Sequence, residues 1–202
     1  MQASPPTRHR VLTRVPSRRP ASPHPRPWIR AGVVAFAAHV GYELAAGVAV
    51  PLAGRIGPIA ACALHGGGAL AAYQAAARVP PGRGDRAFAV LDGFMAAAVL
   101  GHFTAWPRVT RAGLPWLTEC EGMSGRLMPA YNLILHASAV TALGGLREVG
   151  DSRRWALGTV AVVAPVMRWA QPREYESLRA QAARRPGWWN RRHARAQGSL
   201  RP

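Results

Sequence analysis

Histidine and acidic residues that fall inside apolar stretches are the side chains of this sequence best suited to chemistry. His39 and Glu43 are four residues apart, so a helix places them on one face. Asp92 and His102 lie in a third apolar stretch. A carboxylic acid can donate a proton and a second carboxylate or a histidine can remove one. We therefore predict that Glu43 and Asp92 are the catalytic acid and base, and that His39 and His102 tune them or relay protons.

Aromatic and amide side chains near these four residues are candidates for binding a substrate. Aromatic faces stabilise a cationic intermediate by cation–π contact, and the aromatic residues that could do so are Tyr42, Phe94, Phe103, Trp106 and Tyr131. Asn132 and His136 are again four residues apart. We predict a substrate-binding set of Tyr42, Trp106, Trp116, Asn132 and His136.

Long segments almost free of charge must position these residues. The chain has 202 residues and a net charge of +17, but its charges lie mainly in the two ends and in short connectors. Apolar runs of about 18 or more residues are typical of membrane-spanning helices, because a helix satisfies its own backbone hydrogen bonds in lipid. We predict an all-α, polytopic integral membrane helical bundle of about five transmembrane helices, at residues 31–53, 56–79, 87–106, 130–146 and 155–170.

Both ends of the chain are basic. Residues 1–30 are rich in proline, arginine and serine and predict a disordered tail. Residues 171–202 predict a basic tail that is partly an interfacial helix. Arginine clusters can bind nucleic acid or anionic lipid; we interpret these as flanks that orient a membrane protein, with membrane lipids and no nucleic acid as partners. All 26 basic residues are arginine, which together with the high alanine and glycine content indicates a GC-rich bacterial genome. The separation of charged ends from apolar segments predicts a multi-pass protein of the cell membrane.

The arginines of the connectors and those of the C-terminal tail favour different orientations of the bundle. The arginines of the connectors favour a cytoplasmic N-terminus. Five spans would then place the arginine-rich C-terminal tail outside. Either the fifth segment is re-entrant or the tail is an exception to the positive-inside rule.

The connector at residues 108–129 is polar and long, as is typical of a lid or of the wall of a site. Glu119 and Glu121 flank Cys120 in this connector, and they are either solvated loop charges or the cap of a site. Cys62 and Cys120 form neither a disulfide framework nor a CxxC metal motif.

Three chemistries fit a set of histidines and acids inside a helical bundle. The first is acid/base isomerisation or cyclisation of an isoprenoid-like or other lipid substrate, which needs no cofactor. The second is proton-coupled transport. The third is ligation of a metal or haem, for which His102 and His136 are the most convincing pair. We favour the first, with a hydrophobic small-molecule substrate and with no metal or cofactor, and keep as the alternative a non-catalytic protein, either a small proton-linked transporter or an accessory subunit of a membrane complex.

Two short resemblances to known families bear on these alternatives. The pair His39 and Glu43, with the helix count, resembles the emopamil-binding family of sterol isomerases, five-helix membrane proteins that use intramembrane acids. That likeness consists of two residues and a helix count and covers no continuous stretch. The sequence GMSG at residues 122–125 resembles the nucleophile motif of rhomboid proteases, which implies a histidine on a later helix. The predicted last span, at residues 155–170, has none.

Overall fold

A computed structural model of the chain describes residues 25–198, and its architecture is mostly helical, as the all-α prediction states. Residues 1–24, most of the predicted disordered tail, and residues 199–202 lie outside the described residues. The helices of the described part are α1 (Pro27–Ala46), α2 (Ala53–Ile56), α3 (Pro58–Arg78), α4 (Asp85–Ala105), α5 (Met128–Glu148), α6 (Arg153–Arg184) and α7 (Arg191–Gly198).

The number of membrane spans stays a prediction. Among the described residues, one helix, α4, is long and apolar enough to cross a membrane, and the core helix of a soluble protein can have the same length and composition. Helices α1, α3, α4 and α5 have 20 or 21 residues each. At a rise of about 1.5 Å per residue, each is roughly 30 Å long.

Helix α1 begins before the start of the predicted first span and ends before that span's predicted end. Arg26, placed by the sequence in the disordered tail, is buried and pairs with Asp85 at 2.5 Å. The backbone N–H groups of Trp28 and Ile29 donate to the Glu148 carboxylate of α5 at 2.7 and 3.0 Å, which satisfies two free donors of the first helical turn. At its other end, Gly47 adopts a left-handed φ of 80° and terminates the helix. Residues 48–52 then form a non-helical segment before α2.

The connector at residues 108–129 forms two small antiparallel hairpins. Strands β1 (Arg108–Arg111) and β2 (Leu114–Leu117) pair with each other, and β3 (Glu119–Cys120) pairs with β4 (Met123–Ser124). Asn132 of α5 attaches the end of the first hairpin to the bundle. Its side chain accepts a hydrogen bond from the Leu117 N–H at 2.8 Å and donates one to the Leu117 carbonyl at 3.0 Å. This connector therefore has a fixed place against α5.

Helix α6 is continuous where the sequence predicted a span ending at residue 170 followed by a tail. It extends through Pro165 and Pro172 to Arg184. Beyond it the chain turns back onto the end of α1, where the Arg191 guanidinium donates to the Ala45 carbonyl. Cationic side chains at a helix C-terminus interact favourably with its unpaired carbonyls. The part of the predicted tail that the structure describes is thus packed against the bundle.

Glycines let α4 approach α6 closely. A Cβ built at Gly93 would lie 2.9 Å from Ala156 Cα and 2.9 Å from Thr159 Cβ, closer than packed atoms come. Small residues serve this purpose in membrane helix pairs. The triplet Gly66 to Gly68 of α3 is different, because a Cβ at any of the three would meet nothing within 4 Å. These three glycines therefore make no close helix contact among the described residues, and Gly68 lines a cavity.

Candidate active site

His39 and Glu43 of α1 form the first half of a buried polar cluster. Their side chains point the same way, with His39 Nε2 2.8 Å from Glu43 Oε1. Only 4% of His39 and 1% of Glu43 are exposed. Burial of a polar group is costly unless it is hydrogen-bonded, so a carboxyl at this depth requires the partners that surround it.

Tyr131 of α5 and His102 of α4 complete the cluster. The Tyr131 hydroxyl donates to Glu43 Oε1 at 2.6 Å and lies 3.0 Å from His39 Nε2. The same hydroxyl is 3.4 Å from His102 Nδ1. The His39 and His102 rings meet edge to face with centroids 4.7 Å apart. Three helices therefore bring two imidazoles, a phenol and a carboxyl into mutual contact.

The second hairpin places Cys120 and Glu121 beside His102. Cys120 Sγ lies 3.5 Å from His102 Nδ1 and 3.7 Å from the Tyr131 hydroxyl. Burial raises the pKa of the Cys120 thiol, and the carboxylates of Glu121 and Glu43 add to that effect. The group is therefore a neutral thiol at neutral pH.

Glu121 is a buried carboxyl held in an unusual backbone conformation. Its φ is +50°, a region that side chains with a Cβ rarely adopt and that often marks a functional position. Burial raises its pKa well above the ordinary glutamate range, with further contributions from the carboxylates of Glu43 and Glu174. Burial therefore favours the protonated form of Glu121.

These side chains meet an apolar cavity of about 610 Å³. His39, Glu43, His102 and Glu121 all line it. Most of the remaining wall is apolar and comes from α1, α3, α4 and α6, with the residues Phe36, Val40, Leu64, Phe94, Val166 and Met167 among them. Cavities of several hundred Å³ with a mostly apolar lining and a few convergent polar groups are typical binding sites for small molecules.

One residue of the cavity wall carries an unpaired polar atom. Gln171 of α6 is 9% exposed and lines the cavity, and its Oε1 is buried with no hydrogen-bond partner among the residues that the structure describes. A buried acceptor left unpaired costs about 1–3 kcal/mol. A donor group on a bound molecule would recover that free energy.

The structure does not bring Asp92 to Glu43. Asp92 lies ten residues before His102 on α4, which is roughly 15 Å along the helix. Its carboxylate lies at Gly145 of α5 and does not line the cavity. Three acids line the cavity. Glu174 is held by the Leu52 N–H at 2.8 Å and by the Arg55 guanidinium at 3.6 Å, whereas Glu43 and Glu121 are the two that lie beside His102.

The five predicted substrate-binding residues lie outside the cavity lining, and most have other partners. The Tyr42 hydroxyl donates to the Leu127 carbonyl at 2.9 Å, and Asn132 holds the connector as described. His136 Nδ1 bonds the Asn132 carbonyl at 2.7 Å, and its ring stacks on Trp116 with centroids 6.0 Å apart. Trp106 meets the ring of Tyr175 edge to face.

The sequence did not predict that Tyr131 belongs to the buried polar cluster. It also did not distinguish Glu121, which lines the cavity, from Glu119, which does not. Tyr131 carries no local signal for this role, because its partners are 88 and 92 residues away along the chain. Glu121 had one local signal, since a glycine between two short extended segments, here Gly122, favours a tight hairpin and places the preceding residue in its turn. Comparison with known proteins adds no family to this geometry: no protein-family model, curated protein or solved structure matches the chain.

Proposed function

We propose that this protein is a multi-pass membrane enzyme that carries out acid/base chemistry, of the isomerase or cyclase type, on a lipophilic substrate held in the apolar cavity. The observation that carries the proposal is the position of the His39, Glu43, His102 and Glu121 side chains in the wall of that cavity. The alternative is a non-catalytic membrane protein.

The membrane part of the proposal draws on the outer surface of the helices. Large apolar side chains outside the cavity wall are exposed along α3, α5 and α6, including Ile59, Leu70, Leu133, Val140, Leu143, Leu157 and Val162. Exposed apolar area on this scale is typical of a membrane or protein interface. With about five spans in a cell membrane, these side chains would face lipid tails, and a lipophilic substrate could reach the cavity from the bilayer.

The chemistry follows from which groups face the substrate. A carboxylic acid that protonates one carbon of a double bond creates a carbocation, and a base that removes a proton from a neighbouring carbon restores a double bond at a new place. The reaction balances without an oxidant or a cofactor. Of the three acids that line the cavity, Glu43, held by Tyr131 and His39, and Glu121 are the two beside His102.

The lining also limits the substrate. Phe36 and Phe94 present aromatic faces to the cavity, where they could stabilise a cation. The unpaired Gln171 Oε1 would accept a hydrogen bond from a hydroxyl. We therefore expect a largely hydrocarbon molecule with one hydroxyl or similar donor group.

A deletion strain complemented with single variants tests the proposal. We expect Glu43→Gln and Glu121→Gln to accumulate in the membrane yet to fail to convert a lipid precursor, which should build up as in the deletion strain. His65→Gln is the matched control, because His65 lines the same cavity but, within residues 25–198, its one hydrogen bond is to the Ala61 carbonyl of its own helix at 2.8 Å. A lipid profile identical in the deletion strain and the wild type would favour the non-catalytic alternative.

A further inference from the structure

Three side chains of the cluster have the composition and spacing of metal ligands. His39, Glu43 and His102 each offer one ligand atom, and these atoms all lie within 4.8 Å of one another. At most 5% of any of the three is exposed. Imidazole and carboxylate groups together suit divalent ions such as Zn²⁺, Fe²⁺ and Mn²⁺. We propose that His39, Glu43 and His102 bind one divalent transition-metal ion.

The distances fit an ion after a small movement of side chains. Zinc bonds of about 2.0–2.2 Å place the atoms of a tetrahedral ligand set roughly 3.3 Å apart. His39 Nε2 and Glu43 Oε1 are 2.8 Å apart, and Tyr131 Oη, which lies among the ligands, is 3.0 Å from His39 Nε2. The ion has room once His39 Nε2 and Glu43 Oε1 separate by about half an ångström and the Tyr131 hydroxyl, 2.6 Å from Glu43 Oε1, moves out from between the ligands.

The helices hold two of the ligands in a fixed relation. His39 and Glu43 are four residues apart on α1, the spacing with which helices present paired metal ligands. His102 comes from α4, on the other side of the cluster. Two histidines and one glutamate form a three-ligand set that leaves a fourth position open, as in catalytic zinc sites. All three side chains line the cavity, so that position would face a bound molecule.

Neighbouring groups supply the support that metal ligands need. Tyr131 donates to the Glu43 carboxylate at 2.6 Å, and Cys120 Sγ lies 3.5 Å from His102 Nδ1. Such outer partners orient the ligands of a metal site. The Glu43 carboxylate also compensates one positive charge of the ion in a site that excludes water.

This inference deepens the proposed function and depends on it only for the place of the substrate. With an ion bound, Glu43 acts as a ligand, and the ion polarises an oxygen of the substrate as a Lewis acid. Glu121 then remains as the cavity-facing carboxyl that exchanges the proton. Metal content can be measured without any assay of conversion.

The test uses the full chain purified in detergent. We expect about one zinc, iron or manganese ion per chain by elemental analysis, and we expect Co²⁺ added after chelation to give the visible absorption of a low-symmetry nitrogen and oxygen site. Glu43→Gln and His102→Gln should weaken Co²⁺ binding more than about 100-fold, beyond what loss of an outer partner costs. His65→Gln, the control in the same cavity, should bind as the wild type does.

Either of two results would overturn the metal site. One is wild-type protein that carries no metal and shows no Co²⁺ spectrum at millimolar Co²⁺. The other is unchanged affinity in both ligand variants. If a variant does not accumulate, the wild-type spectrum decides alone. A protein without metal in which Glu43→Gln still abolishes lipid conversion refutes the metal and keeps the proposed function. Bound metal, together with a lipid profile that is the same in the deletion strain and the wild type, keeps the metal site and refutes the proposed function.

Discussion

Replacing Tyr131 by phenylalanine removes one oxygen atom from the centre of the polar cluster and leaves the packing in place. Tyr131 is fully buried, and its hydroxyl donates to Glu43 Oε1 at 2.6 Å. A hydrogen bond to a charged group contributes about 1.5–3 kcal/mol, and removal of one partner leaves the other buried and less satisfied. For a chain of this size, 1 kcal/mol corresponds to about 2–4 °C in unfolding temperature. We expect Tyr131→Phe to unfold about 3–12 °C below the wild type.

The assay is thermal unfolding of purified protein in one detergent, with Tyr42→Phe as the matched control. The Tyr42 hydroxyl donates to a backbone carbonyl, that of Leu127, at 2.9 Å, and Tyr42 is half-buried. A neutral hydrogen bond contributes only about 0.5–1.5 kcal/mol, so the control should unfold closer to the wild type. A Tyr131→Phe variant as stable as the wild type, or more stable than Tyr42→Phe, would refute the cluster geometry.

Two further predictions concern helix packing and the C-terminal segment. Gly93→Ala should lower the free energy of unfolding by about 1–3 kcal/mol through overpacking against Ala156. Gly67→Ala should raise it by up to about 1 kcal/mol through helix propensity, because the new Cβ meets nothing within 4 Å. Opposite shifts in unfolding temperature check both predictions. Burial lowers the pKa of His193 below the usual 6.5, so the folded state binds its proton less readily than the unfolded state. Stability should therefore fall as the pH drops from about 7.5 to about 5.5, more steeply in the wild type than in His193→Gln; parallel pH profiles would contradict this.

Helices α1, α3, α4 and α5 were predictable because each of them contains a long apolar run. His39 and Glu43 could also be paired from the sequence, since four residues on a helix fix their relation. Relations between helices could not be predicted. Asp92 and Glu43 both looked like intramembrane acids, but the rotation and depth of α4 against α1 decide that His102, not Asp92, meets Glu43.

The hairpins and the C-terminal segment show a second limit of local patterns. Residues 108–129 were predicted as a loop, and their short strands contain too few residues for a period-2 pattern to be visible. The sequence predicted a span that ends at residue 170, but the helix continues through Pro165 and Pro172 to Arg184. Proline removes a hydrogen bond from a helix interior, yet the packing of α6 along α4 is extensive enough to outweigh that loss.

Acid/base catalysis at this cluster requires that a proton from the solvent be transferred to the substrate. The measurement is incubation of the purified full-length protein, in D₂O, with the lipid fraction that builds up in the deletion strain, followed by mass spectrometry of the product. We expect wild type and His65→Gln to form a product that carries one deuteron. We expect Glu43→Gln and Glu121→Gln to form no product. A product formed without deuterium, or formed equally by the two glutamine variants, would contradict acid/base catalysis at this cluster.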